Sequence, residues 1–307
     1  MILCISLNPS LEVNIEVDSL AVGRVNKVLS KRTYLAGNAL NVAIGLSRLG
    51  ADAFAGGFMY EENGRMFEQE LHKEGVTYKF VWNKGRVREV YKFVDRRSML
   101  TEVVEEATPI DAANKKKLLD TVADLAKNCS AVIISGDCSS GLSETYVRDL
   151  LSAIPEKVLK IVDTDGERLS SLLDLKIDLV KPNLKEMEKA LKIKITDYDS
   201  MVRSCEAMIK KGAKRVLLSL GKSGAVICDG EKKLYCKSLN VAMNSTVGAG
   251  DAMVAAAAKA LSEGADLESI LRSGVAAGTA AVTLPDSISF TREKYNEVLQ
   301  TLTVKEI

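Results

Sequence analysis

Residues 111–163, DAANKKKLLDTVADLAKNCSAVIISGDCSSGLSETYVRDLLSAIPEKVLKIVD, run twice through one alternation. A helix-period stretch near 111–127 gives way to the apolar run 131–135. A second helical stretch, 143–153, gives way to the run 159–163. Short apolar runs separated by helices are strands buried on both faces, because a crossover helix is what lays the next strand parallel to the last. The segment predicts a mostly parallel sheet covered by helices on both sides, an α/β fold.

The rhythm extends outward in both directions. Before the segment come expected strands at 1–7, 53–58 and 77–81. Between them lie a helix that follows Gly37 with Leu40, Ala43, Ile44 and Leu49 on one face, and another helix at 61–73. After it come a strand at 178–181, a helix at 198–211, strands at 215–219, 225–228 and 232–236, and helices at 250–262, 267–283 and 291–300. Residues 12–17, 26–35, 86–94 and 98–104 instead alternate apolar with polar, the last two as a hairpin around Asp95-Arg96-Arg97. Their pattern buries one face only. We read them as a small lid sheet inserted in two segments, about 10–36 and 85–105, into one domain spanning 1–307, and placed over the strand ends where such folds bind ligands. An apolar lid face also suits pairing with a second copy, so a homodimer is expected.

Composition narrows the partners. Lysine and arginine total 42 against 41 aspartates and glutamates, so no net field holds a nucleic acid or a membrane surface, and any phosphate must be bound locally. No apolar run approaches the ~18 residues of a membrane span. The start MILCISLNPS lacks the basic n-region of a secretion signal, which makes the cytoplasm the expected location. Cys4, Cys129, Cys138, Cys205, Cys228 and Cys236 form no CxxC pair and read as reduced core residues. The single histidine, His72, lies in the charged stretch HKEG and is expected on a solvated helix surface.

Three short stretches carry chemistry. Residues 245–253, STVGAGDAM, run straight into the apolar stretch 254–261. Gly248, Ala249 and Gly250 at a helix start let backbone N–H groups surround an anion that the helix dipole also favours. Asp251 in the first turn points at the same place, where a carboxylate can take the proton of an attacking hydroxyl during phosphoryl transfer. On composition alone, a plain N-cap is an equal reading of that aspartate. In residues 181–186, KPNLKE, Asn183 and Glu186 lie three apart across a helical turn and can hold Mg²⁺ through its waters, with Lys181 and Lys185 available to phosphate oxygens. The plainer alternative is a Pro-Asn turn closed by a capping-box glutamate. Residues 219–224, SLGKSG, are a glycine turn between strands, in which Ser219, Gly221 and Gly224 become nucleotide contacts only in the company of the other two motifs.

Together these motifs resemble the PfkB, or ribokinase-like, carbohydrate kinases, in particular the 1-phosphofructokinase and tagatose-6-phosphate kinase branch. The matches follow the family's order over nearly the whole chain: SLNPSL at 6–11, NVA at 41–43, RLG at 48–50, TE at 101–102, SG at 135–136, IVDT at 161–164, VKPN at 180–183, LSLG at 218–221 and NSTVGAGD at 244–251. The resemblance implies a three-layer α/β/α core with a β lid used for dimer contact. It implies ATP on Lys181, Asn183, Lys185, Ser219, Gly221, Gly224 and Asn244, Mg²⁺ near Asn183 and Glu186, and Asp251 as base over a Gly248, Ala249 and Gly250 anion hole. It places the acceptor under the lid, against Glu12, Lys27, Gly37, Asn38, Asn41, Arg88 and Ser135. The expected reaction is ATP-dependent phosphotransfer to fructose 1-phosphate, fructose 6-phosphate or tagatose 6-phosphate.

The departures from that branch fall on the acceptor side. Ala36-Gly37-Asn38-Ala39 stands where the branch usually has Gly-Gly-Lys-Gly, Glu12 replaces an aspartate, and Val90 and Val104 replace asparagines. Asp137 and Ser140 replace a serine and a proline. A phosphorylated acceptor needs cations, since an unpaired dianion beneath a lid costs several kcal/mol. Arg88, Lys27 and Lys92 remain for that role, while the loss of a lysine at 38 favours the rival, a kinase of the same fold acting on a neutral sugar or nucleoside. A non-catalytic sugar or nucleotide sensor is the reading of another class, and the intact stretch from Gly248 to Asp251 argues against it.

Overall fold

The computed structural model describes every residue except 137, 139–141, 243–246 and 285–289. In chain order the elements are β1 (Ile2–Ser6), β2 (Ser10–Val17), β3 (Val28–Ala36), α1 (Asn38–Arg48), β4 (Ala53–Tyr60), α2 (Arg65–Lys73), β5 (Thr77–Asn83), β6 (Arg88–Val94) and β7 (Leu100–Val104). There follow α3 (Ala112–Ala126), β8 (Ala131–Ser135), α4 (Glu144–Ser152), β9 (Leu159–Asp163), α5 (Gly166–Leu172), β10 (Leu179–Val180), α6 (Leu184–Leu191), α7 (Tyr198–Lys210) and β11 (Val216–Ser219). The chain closes with β12 (Ala225–Cys228), β13 (Lys233–Cys236), α8 (Ala249–Ser262), α9 (Leu267–Ala281), α10 (Arg292–Thr301) and β14 (Val304–Glu306).

Strands β1 and β8 are buried at every position, which is why neither alternates polar with apolar. They lie side by side in the interior of a ten-stranded sheet of order β14-β13-β12-β11-β10-β9-β8-β1-β4-β5, parallel from β5 through to β11 and antiparallel beyond. One face is covered by α1, α2, α8, α9 and α10, the other by α3 to α7, and each interlayer is a continuous apolar cluster. This is the expected three-layer arrangement. Helix α5 and strand β14 are additions to the sequence reading. At seven and three residues, each is too short to show a period of its own.

The lid is a separate four-stranded sheet of order β3-β2-β6-β7. Strand β2 pairs with β6 so that Ser10, Glu12 and Asn14 oppose Arg88, Val90 and Lys92, while β7 sets Glu102 and Val104 opposite Lys92 and Val90. With a side-chain period of two, all of these share one face. Val13, Ile15 and Val17, with Tyr91 and Phe93, share the other. The β6–β7 hairpin closes on Asp95, whose carboxylate accepts from the backbone N–H groups of Arg97 (2.8 Å) and Met99 (3.0 Å) and from the Arg97 guanidinium. The cysteines are free thiols, all buried except the half-buried Cys138, and His72 lies in the last turn of α2. Among the described residues, no helix is long and apolar enough to cross a membrane.

Candidate active site

Helix α8 is buried along almost its whole length, so its amino end is held rigidly. Its N-cap is Gly248, at φ 78°, a left-handed conformation that a side chain would resist. The N–H groups of a helix's first turn have no acceptor within the helix and are left to face an anion. Asp251 is not the cap. Its Oδ1 accepts from Asn38 Nδ2 at 2.9 Å and its Oδ2 from Asn41 Nδ2 at 2.8 Å, and the residue is 5% exposed. Asn38 and Asn41 stand three apart on α1, on one face of the helix. Burial foremost, and then the nearby Asp163, pushes the Asp251 carboxyl up to about 7, against the two amide hydrogen bonds and Lys181. Such a group changes protonation near neutral pH, as a general base must.

On one side of Asp251 a cavity of about 310 Å³ is lined by Asn38, Gly136, Asp163, Thr164, Asp165, Lys181, Asn183, Glu186, Gly248 and Gly250. Lys181, at the end of β10, lies 3.0 Å from Asp163 Oδ1 at the end of β9, and both are buried. Burial works to discharge that lysine, but the carboxylates of Asp163, Glu186 and Asp251 outweigh it and hold it charged. Ser135 Oγ donates to Asp163 Oδ2 at 3.4 Å, so Ser135 lies behind the site rather than lining it.

Asn183 and Glu186 form a full capping box: Asn183 N donates to Glu186 Oε2 (2.8 Å), and Glu186 N donates to Asn183 Oδ1 (3.0 Å). Among the described residues no three His, Cys, Asp or Glu side chains converge as a ready chelate. Yet Asp163, Asp165 and Glu186 all line this cavity, which suits a Mg²⁺ that keeps most of its waters.

Pro182 O accepts from Ser219 N at 2.9 Å, which draws the glycine turn alongside Asn183. That turn, a single 3-10 turn over Gly221–Ser223, is closed by Leu220 N to Gly224 O at 2.9 Å. Ser219, Gly221 and Gly224 are neighbours of the cavity, not part of its wall, and Lys185 is exposed and also off the wall. Asn244, Ser245 and Thr246 lie outside the described residues.

On the other side of Asp251, beneath the lid, a second cavity of about 300 Å³ is lined by Ser10, Glu12, Gly37, Asn38, Asn41, Arg88, Val90, Lys92, Glu102, Val104 and Gly248, among others. Lys92 Nζ lies 2.7 Å from Glu12 and 3.9 Å from Glu102. Arg88 Nε is buried with no partner. Arg88 also lines a third cavity, of about 370 Å³, whose wall includes Arg168, another arginine with a buried, unpartnered Nε. Lys27, in the loop between β2 and β3, is exposed and does not line the cavity beneath the lid.

Sequence reasoning did not single out Asp163, Asp165, Glu102 or Arg168 as site residues. Their signal is position: Asp163 ends β9 and Asp165 follows it, at the carboxyl edge of a parallel sheet, where open α/β folds bind ligands.

With this geometry in hand, comparison with known proteins is specific. Residues 6–294 match the model of the pfkB family carbohydrate kinases. The chain is 28% identical over 283 residues to a 1-phosphofructokinase of Borreliella burgdorferi, covering 91% of each. It is 26% identical over 311 residues to a tagatose-6-phosphate kinase of Staphylococcus epidermidis, covering both in full. A crystal structure of phosphofructokinase-2 from Escherichia coli in complex with potassium superposes with a TM-score of 0.90 at 28% identity, over 97% of this chain and 98% of that one. The cavity pair, the amino end of α8 and the buried carboxylate thus sit on a ribokinase-like α/β fold, and the chain belongs to the pfkB family of carbohydrate kinases.

Proposed function

We propose that the protein transfers the γ-phosphoryl group of ATP to a hydroxyl of a phosphosugar of the fructose 1-phosphate, fructose 6-phosphate or tagatose 6-phosphate class, with Asp251 as base. The observation that carries this is that the cavity beside Lys181 and the cavity beneath the lid share three described wall residues: Asn38, Gly248 and Asp251. A phosphate in the first and a sugar in the second meet at the carboxylate. The acceptor hydroxyl gives its proton to Asp251 as its oxygen bonds to the γ-phosphorus, and the bond from that phosphorus to the β–γ bridging oxygen breaks to release ADP. The N–H groups of Gly248, Ala249 and Gly250 face the charge on the transferring group, and Lys181 faces the phosphates of the donor. Mg²⁺ held through water by Asn183 and Glu186 would neutralise donor phosphate charge.

Arg88 supports an anionic acceptor. A partly buried guanidinium whose Nε finds no partner among the described residues is suited to a phosphate oxygen pair. The names of the two relatives point the same way. One observation favours the neutral-sugar reading: Lys92 is already held by Glu12 and Glu102, and Asn38 adds no cation. We further propose that the 1–307 domain dimerises through its lid.

ATP consumption measured against fructose 1-phosphate, fructose 6-phosphate, tagatose 6-phosphate, ribose, fructose and common nucleosides tests the proposal. Turnover of one or more phosphosugars is expected. Turnover of neutral substrates alone would overturn the phosphosugar class while leaving the kinase chemistry in place.

A further inference from the structure

Asn38 stands where the two cavities touch, and its carboxamide is confined from two directions. Its Nδ2 donates to Asp251 Oδ1, while Asn41, one turn along α1, donates to the other oxygen. Behind it lies Gly136, at φ +97°, just past β8. A Cβ on that glycine would fall 2.7 Å from Asn38 Oδ1 and 3.1 Å from its Cβ, so the backbone there leaves room for the carboxamide and little more. With Oδ1 against Gly136, the amide nitrogen is the end left to face Asp251.

The charge of this neighbour matters as much as its reach. Asp251 already faces Lys181 and Asp163 from the donor side, with Glu186 beyond them. Glu12, Arg88, Lys92 and Glu102 line the acceptor side. A lysine at 38 would bring another cation to the carboxylate and weaken its hold on a proton. A leucine would withdraw a donor from an oxygen that is buried. An asparagine fixes the group without altering the charge around it.

Resting on the kinase reading above, we propose that Asn38 is a positioning residue for the transfer step: Asn38 and Asn41 each grip one oxygen of Asp251, so that the carboxylate cannot turn and its remaining lone pairs are held for the acceptor hydroxyl. This assigns Asn38 a role through Asp251 rather than through contact with the sugar.

The test is the pH dependence of kcat/KM, with kcat and acceptor KM separated, for Asn38→Leu, Asn38→Lys and Gly136→Ala, with Asp251→Asn as reference. Asn38→Leu removes a hydrogen bond to a charged group, so the acid limb should move about one pH unit alkaline, kcat should fall roughly tenfold, and acceptor KM should hold within about threefold. Asn38→Lys should move the limb in the acid direction. Gly136→Ala, which displaces the carboxamide while retaining Asn38, should follow Asn38→Leu in sign. If Asn38→Leu does not fold, the other two variants carry the test. An acceptor KM that rises with an unmoved acid limb would make Asn38 a sugar contact and overturn the proposal. Equal loss of kcat in every variant with unmoved limbs would overturn it as well. If Asp251→Asn retains the wild-type rate, the base itself has been misassigned, a failure distinct from an unmoved limb over an inactive Asp251→Asn.

Discussion

Lys92 on β6 reaches Glu12 on β2 at 2.7 Å, and beneath the lid both side chains are only 15% exposed. The pair joins the two lid segments across the acceptor cavity and leaves one Glu12 oxygen to receive a hydroxyl. Removing either partner strands a charge that water reaches poorly, at a cost of roughly 1.5–3 kcal/mol. Glu12→Gln and Lys92→Met should each raise acceptor KM about tenfold, and the double variant should be little worse than the more damaged single. The four values of kcat/KM form the cycle that checks this. Strict additivity would mean that the pair does not act as a unit toward the acceptor.

Arg88 lines the acceptor cavity with its Nε buried and, among the described residues, unpartnered. If it receives the substrate's phosphate, Arg88→Ala should raise KM for the phosphosugar roughly 10- to 100-fold, with a smaller change in kcat. Its effect on ATP KM should be slight. Arg168→Ala, on the wall that Arg88 shares with the neighbouring cavity, should act in the same direction but more weakly. Steady-state kinetics with both substrates varied separates these effects, and a KM change confined to ATP would contradict the placement.

Much of this was legible in the chain. Alternation placed the sheet, and the period-two stretches placed the lid, because burial on two faces or on one writes different patterns. The Gly248 to Asp251 stretch read equally well as a plain helix cap, and only the other motifs, following in the family's order, singled it out. Contacts that depend on register were not legible. Asp163 and Lys181 lie on neighbouring strands, and nothing local says that their side chains meet. Asn38 and Asp251 are 213 residues apart, so the resemblance that set Asn38 under the lid carried no sign of its amide donating to the carboxylate. Arg168 was missed because α5 is too short to announce itself. For Asn183 and Glu186 the capping-box reading is the one the structure displays, and both residues also line the cavity beside Lys181.

The raised Asp251 carboxyl has consequences of defined sign. With the free enzyme's base near 7, kcat/KM should rise with pH and level off above about 7, losing about tenfold per unit below it. Asp251→Asn should cut kcat by ~10²–10⁴ with ATP binding nearly intact. Stability runs the other way. The native carboxyl binds its proton more tightly than the unfolded one, so the native state holds more protons between pH ~4 and ~7, and stability falls as pH rises through that window. Asp251→Asn removes that dependence. Relative to wild type, the variant should therefore be more stable at pH 8 than at pH 5, a difference that urea midpoints at the two values would register.

The lid sheet ends in two edge strands, β3 and β7, and both carry apolar side chains into solvent: Leu29 is 55% exposed, Leu100 56% and Val103 53%. Unprotected apolar edges invite a further strand or sheet, and a second copy of this chain offers the same surface in return. Light scattering should give twice the 33.2 kDa chain mass for the wild type, and Leu29→Asp combined with Val103→Asp should return it to one. Because Glu102 and Val104 of β7 also line the acceptor cavity, loosening this edge should raise acceptor KM while leaving ATP binding, on the far side of Asp251, unchanged. A wild type that runs as a monomer, or a variant that stays paired, would place the contact elsewhere and leave the exposed edge to be explained by closure over the sugar.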